Sequence, residues 1–142
     1  MGNLRVVVII EHPTDKRLHV SQRAIDKKRY PGLFNLGVES AIDSGEAYIE
    51  AGQRRLREVG ITPQGPTLSN PLFEFVFNNG KYSGRQVVYH AKHQYLINPG
   101  KEFQWKGWMT KEEIDDLFTK NRLCPDTSVI YERFREEFYG KI

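Results

Sequence analysis

One charged stretch, Glu46 to Val59, lies between two β-rich halves of the chain and constrains the fold more than any other segment. Ala47, Ile49, Ala51 and Leu56 fall at helical spacing, so the stretch predicts a partly amphipathic helix. Ser44 is placed to cap its start and Gly60 to stop it. Residues three or four apart share a helix face, which sets Arg55 beside Glu58.

The flanking segments read as strands and turns. Leu4 to Glu11 is a β-branched run with the look of a buried strand, and His12-Pro13-Thr14-Asp15 is a turn leading to a partner strand over Arg17 to Arg23. The pair predicts a hairpin. Leu33 to Val38 predicts one short strand between loops. Asn70 to Phe77 and Arg85 to Tyr95 are aromatic and β-branched, with Asn78-Asn79-Gly80 as the hairpin signal between them. Gln104 to Trp108 is a further short strand. Thr110 caps a helix from Lys111 to Lys120, and Pro125-Asp126-Thr127 opens a last helix ending near Gly140. The order predicts an α/β (α+β) fold with helices over a mixed β-sheet.

A chain of 142 residues suits a single domain over 1–142 with a core that needs no disulfide staple. The single cysteine, Cys124, excludes an internal disulfide and a thiolate cluster and points to a reducing, cytoplasmic setting. The longest apolar run, Val6 to Ile10, is strand-sized, so no membrane span is expected, and the first residues lack the apolar core of a signal peptide. A formal charge of +3 suits a phosphate-bearing ligand but lacks the dense basic stripe of a nucleic-acid binder. Oligomeric state is not legible.

Glu46, seven intervening residues, Arg54, Leu56, Glu58, Gly60 and Ile61 together resemble a degenerate Nudix box. Ser40 stands where the first Gly of that pattern belongs, Arg55 replaces its first metal-binding Glu, and one position of its Glu-Glu pair is missing between Arg57 and Glu58. Leu18 to Phe34, with Arg23-Ala24, Lys27-Lys28 and Tyr30-Pro31-Gly32, is similar to the isopentenyl diphosphate isomerase-like branch of the Nudix superfamily. The likeness resumes at Phe103-Gln104-Trp105. The resemblance implies a Nudix-type α/β/α sandwich.

It also implies a site. Arg23, Lys28 and Arg55 match cations that hold a diphosphate, and Glu46 with Arg54 matches a structural ion pair. Glu39 stands at the isomerase's catalytic cysteine and Ala41 at its metal histidine. Gly84 and Gln86 stand at its acidic groups, and Asp126 roughly at its shielding tryptophan. None of these can perform the isomerase's chemistry. A Nudix hydrolase acting on a nucleoside diphosphate-linked or similar small molecule would use Mg²⁺ held by Glu58 and Glu39, with Glu58 and Glu46 as catalytic acids. Alternatively, the same cations hold a diphosphate or nucleotide in a catalytically silent binding or interaction module. Glu58 is open to either part, as a metal ligand or as the partner of Arg55. Cys124 reads as a buried spectator, His90 and His93, three apart on a predicted strand, fall on opposite faces and make no metal pair unless a bulge intervenes, and His12 and His19 read as surface or ordinary sheet residues.

Overall fold

The computed structural model describes residues 4–61, 66–81 and 83–142. In chain order these form β1 (Arg5–Glu11), β2 (Leu18–Arg23), β3 (Phe34–Leu36), β4 (Val38–Ala41) and α1 (Tyr48–Glu58). They are followed by β5 (Phe73–Asn78), β6 (Ser83–Lys92), β7 (Phe103–Met109), α2 (Lys111–Thr119) and α3 (Pro125–Glu137). The sheet is mixed. β1 runs parallel to β6 and antiparallel to β4, and β5 pairs antiparallel with β6. A second wing places β2 antiparallel between β3 and β7.

Both faces of β1 are covered, which is why its apolar run is continuous rather than alternating. Val6, Val8 and Ile10 pack with Ala51, Leu56 and Val59 of the α1 side, while Val7 and Ile9 pack with Ile114, Ile130, Tyr131 and Phe134 of the α2 and α3 side. The result is an α/β/α sandwich with a mixed sheet, as predicted.

The predicted hairpin of the first two strands is real but splayed, since β1 and β2 meet at Glu11 opposite Leu18 before each pairs elsewhere. The single strand expected over Leu33 to Val38 is two strands. Gly37 breaks it at φ +58°, where a Cβ would fall 1.9 Å from the Val8 carbonyl oxygen, so only glycine lets the chain cross from one wing to the other. The strand expected to reach Tyr95 ends at Lys92, which leaves His93 outside it. Tyr82, between the hairpin signal and β6, lies outside the described residues.

The helix α1 begins later than predicted. Ser44 is used in a turn closed by Glu46 N–H on Asp43 O (3.0 Å), and Ala47 takes the N-cap position instead. Its backbone N–H is satisfied by the Glu50 carboxylate at 2.7 Å. At the other end Gly60, at φ +101°, donates to Arg57 O, and Ile61 donates to Leu56 O. That is the two-bond glycine termination expected of a helix stop. Ile49, assigned to the apolar face by its spacing, is exposed, and Gly52 is buried in its place. A Cβ there would sit 2.6 Å from Leu68 Cδ1, so the small residue sets how closely α1 approaches the segment beyond it. No helix among the described residues is long and apolar enough to cross a membrane.

Candidate functional site

The loop before α1 is knotted to the helix by one arginine. Arg54 grips Glu46 with two parallel bonds, Nε to Oε2 at 2.9 Å and Nη2 to Oε1 at 3.0 Å, the bidentate geometry that suits guanidinium and carboxylate. It also donates to Ala41 O (3.0 Å), Ser40 Oγ (3.2 Å) and Glu58 Oε2 (3.1 Å), and Asp43 lies 3.5 Å away. Ser40, the departure from the expected glycine, thus serves as one more acceptor. The Arg54 bond holds the Glu46 carboxyl below its ordinary range, helped by the Asp43 N–H. The Glu46–Arg54 ion pair that the Nudix resemblance implied is therefore present, and Glu46 is committed to it.

Arg55, the next residue, points elsewhere. Its Nε donates to Glu39 O at 3.1 Å, its Nη2 to Pro99 O at 3.1 Å, and its Nη1 reaches Glu58 Oε1 at 3.4 Å. Glu58 is thus shared between two guanidinium groups, one on each oxygen.

Beside this helix a cleft opens in two lobes that share Arg5, Arg23, Asn35 and Glu39. The outer lobe adds Lys27, Arg55, Pro99 and Glu102. Arg5, Arg23, Lys27 and Arg55 therefore surround one space, opposed by Glu39 and Glu102. Of the three cations expected from sequence, Arg23 and Arg55 are brought together and Lys28 is not. Lys28 is exposed, lies outside the lining of both lobes, and is replaced by its neighbour Lys27. The turn that carries them is fixed by Arg23 Nε donating to Arg29 O at 2.9 Å.

The inner lobe has a polar floor. Gln86 donates its amide to Asp126 Oδ2 at 3.1 Å, while its own Oε1 is buried with no partner among the described residues. Glu39 is held by Arg5 at 3.2 Å. Burial pushes the Glu39 carboxyl above its ordinary range; Arg5 opposes this and Asp126 adds to it. Asn35 accepts from Cys124 Sγ at 3.4 Å and donates to Thr127 Oγ1 at 3.3 Å. Burial raises the Cys124 thiol to about 12, in keeping with a buried spectator rather than a nucleophile. Tyr30 stands on the wall at φ +49°, with the Arg29 guanidinium 5.6 Å from its ring centre and Asn79 Nδ2 bonded to its hydroxyl at 2.7 Å.

The histidines stand apart from this cleft. His19, on β2, is fully buried; it accepts from Ile97 N–H at 3.3 Å and meets the Trp108 ring edge-on. Burial lowers it to about 4, with Lys106 and His93 adding to the shift. His90 pairs with Glu11 at 2.8 Å. Among the described residues there is no group of three or more His, Cys, Asp or Glu side chains placed to hold a metal ion. Of the carboxylates expected to carry Mg²⁺, Glu58 pairs with Arg54 and Arg55, and Glu39 pairs with Arg5.

Arg5, Asn35 and the use of Lys27 in place of Lys28 were not found from sequence. Arg5 opens an apolar strand, where a charge reads as solvated. Only the register that sets Val7 opposite Glu39 brings the start of β1 beside β4.

No protein-family model matches the chain. It is 24% identical over 135 residues to an uncharacterized Nudix hydrolase of Streptomyces coelicolor, covering 92% of this chain and 73% of that protein. Among solved structures it superposes on a Deinococcus radiodurans protein with a TM-score of 0.74, at 21% identity over 92% of this chain and 82% of the other. The NUDIX domain of Shewanella oneidensis NrtR, crystallised with ADP ribose, gives a TM-score of 0.71 at 19% identity, covering 96% of this chain and 88% of that one. The chain has the Nudix fold.

Proposed function

We propose that this chain is a divergent member of the Nudix hydrolase superfamily whose cleft binds a small molecule carrying a diphosphate, such as a nucleoside diphosphate or a compound linked through one. The observation that carries the reading is the convergence of Arg5, Arg23, Lys27 and Arg55 on the outer lobe. Guanidinium forks and an ammonium suit the oxygens of two adjacent phosphates. The ADP ribose held by the NrtR domain is a ligand of this chemical class. Metal-assisted hydrolysis at Glu58, Glu46 and Glu39 has less support than binding, because Glu58 and Glu46 are engaged by arginines and Glu39 lies against Arg5.

The inner lobe bears on the organic part. Glu39, Asp126 and the unpartnered Gln86 Oε1 offer acceptors, so a group with N–H or O–H donors suits it better than an isoprenoid chain. The sequence likeness to the isomerase-like branch therefore extends to position and not to chemistry.

Isothermal titration calorimetry tests the reading with inorganic pyrophosphate, adenosine diphosphate and adenosine. Both phosphorylated ligands should bind more tightly than the nucleoside and should weaken with salt. Equal affinity for adenosine and its diphosphate would overturn it.

A further inference from the structure

We propose that Arg55 is a built-in cation occupying the oxygen cage that a divalent ion would need, so that the cleft takes a diphosphate without a metal. This rests on the diphosphate reading above. The cage is made of oxygens from three separate segments: the Glu39 carbonyl of β4, the Pro99 carbonyl of the loop before β7, and the Glu58 carboxylate of α1. Carbonyl and carboxylate oxygens are hard donors that attract a divalent cation as well as a guanidinium, although Mg²⁺ itself keeps several waters and binds through one or two carboxylates. Here a guanidinium fills the cage from within the chain.

Three features make the substitution self-consistent. The second Glu58 oxygen is drawn to Arg54 at 3.1 Å, so the carboxylate is oriented between two guanidinium groups rather than into the cleft. The bonds to Glu39, Pro99 and Glu58 use three of the five guanidinium N–H donors, which leaves two for phosphate oxygens. Arg55 also shares the outer lobe with Arg5, Arg23 and Lys27, which supply further positive charge against a diphosphate. A fixed positive charge repels a divalent ion from the same cage and neutralises phosphate in its stead.

The test combines manganese titration of the protein alone, followed by electron paramagnetic resonance, with pyrophosphate calorimetry. Wild-type protein should show no saturable Mn²⁺ site. Its pyrophosphate affinity should agree within about twofold in chelator and in Mg²⁺, once ligand complexed with Mg²⁺ in solution is discounted. Arg55→Glu should gain a saturable Mn²⁺ site and lose tenfold or more, roughly, in chelator affinity. Arg55 ties three segments together, so Glu58→Gln, at an exposed side chain, is the companion variant. It should tighten pyrophosphate by about threefold by releasing Arg55 from its counter-charge.

Wild-type Mn²⁺ binding that disappears in Glu58→Gln would overturn the proposal, because Glu58 would then be a metal ligand. Pyrophosphate binding that requires Mg²⁺ would overturn it too, while leaving the cleft as a diphosphate site. Absence of pyrophosphate binding in both conditions would overturn the proposal and the diphosphate reading together.

Discussion

Arg54 and Arg55 are neighbours on α1 with identical side chains and a shared partner in Glu58, yet their other partners differ. Arg54 is enclosed by Asp43, Glu46 and Glu58 and also bonds Ser40 and Ala41, so its charge is spent inside the protein. Arg55 has two neutral carbonyls and a longer contact to a shared carboxylate, so it keeps most of its charge for the cleft. Two like residues become a loop-to-helix clamp and a cation lining the cleft solely through the partners the fold gives them.

The largest expected effect is on binding at Arg55. Arg55→Ala should weaken pyrophosphate by about 1.5–3 kcal/mol, as for loss of a charge-assisted hydrogen bond, measured by calorimetry. Unchanged affinity would place Arg55 with Arg54 as a scaffold residue and dissolve the contrast.

Arg54→Ala should act on stability instead. Loss of the bidentate pair and the Ala41 bond should cost roughly 1–2 kcal/mol, the side chain being partly solvated. Urea unfolding would show a lower midpoint at constant slope, with pyrophosphate affinity of the folded protein retained. An affinity loss matching that of Arg55→Ala would show that both arginines serve the ligand.

Acid sharpens the comparison, because Glu46 and Glu39 shift in opposite directions. Glu46 is lowered, so its contribution is present above the ordinary carboxyl value and is lost as pH falls through its folded pKa. Glu39 is raised. Its ionised form carries a cost that is absent below the ordinary value and complete above its folded pKa, so acidification relieves it. Carbon-detected NMR titration of the two carboxyls should find Glu39 protonating first; the reverse order would reject the assignment. Global melting is a poorer probe, since burial of neutral His19 also removes stability as pH falls from 6.5 to about 4. Protonating Glu39 removes a negative charge beside Arg5, so pyrophosphate should tighten there, and Glu39→Gln should abolish that part of the pH dependence.

The smallest effect is ionic. Salt should weaken binding at the solvated outer lobe while hardly altering the Glu46 carboxyl shift, because close partly buried pairs are screened less than an approaching ligand. Equal sensitivity of the two would mean that the Arg54 clamp is as open to solvent as the cleft.

Much of this was legible in the chain itself. The β1 run marked a buried strand, Thr110 and Pro125 marked two helix starts, Gly60 marked the end of α1, and the likeness to the Nudix box marked the Glu46–Arg54 ion pair. These are local signals, set by side-chain period, capping and one helix-to-loop distance, and neighbours in sequence suffice to produce them. Ser44 failed as a cap because it lies inside the Asp43–Glu46 turn, and Leu33 to Val38 split because Gly37 meets Val8 from a distant strand.

The cleft belongs to the other category. Arg5, Arg23, Lys27 and Arg55 come from four places in the chain, and Gln86 meets Asp126 across 40 residues. Sequence determined that a charged helix would follow a strand-rich half and that Arg54, Arg55 and Glu58 would lie close together on it. Only the tertiary structure decided which arginine is enclosed by carboxylates and which lines the cleft, because electrostatic character depends on through-space distance and burial, and neither is encoded by spacing along the chain.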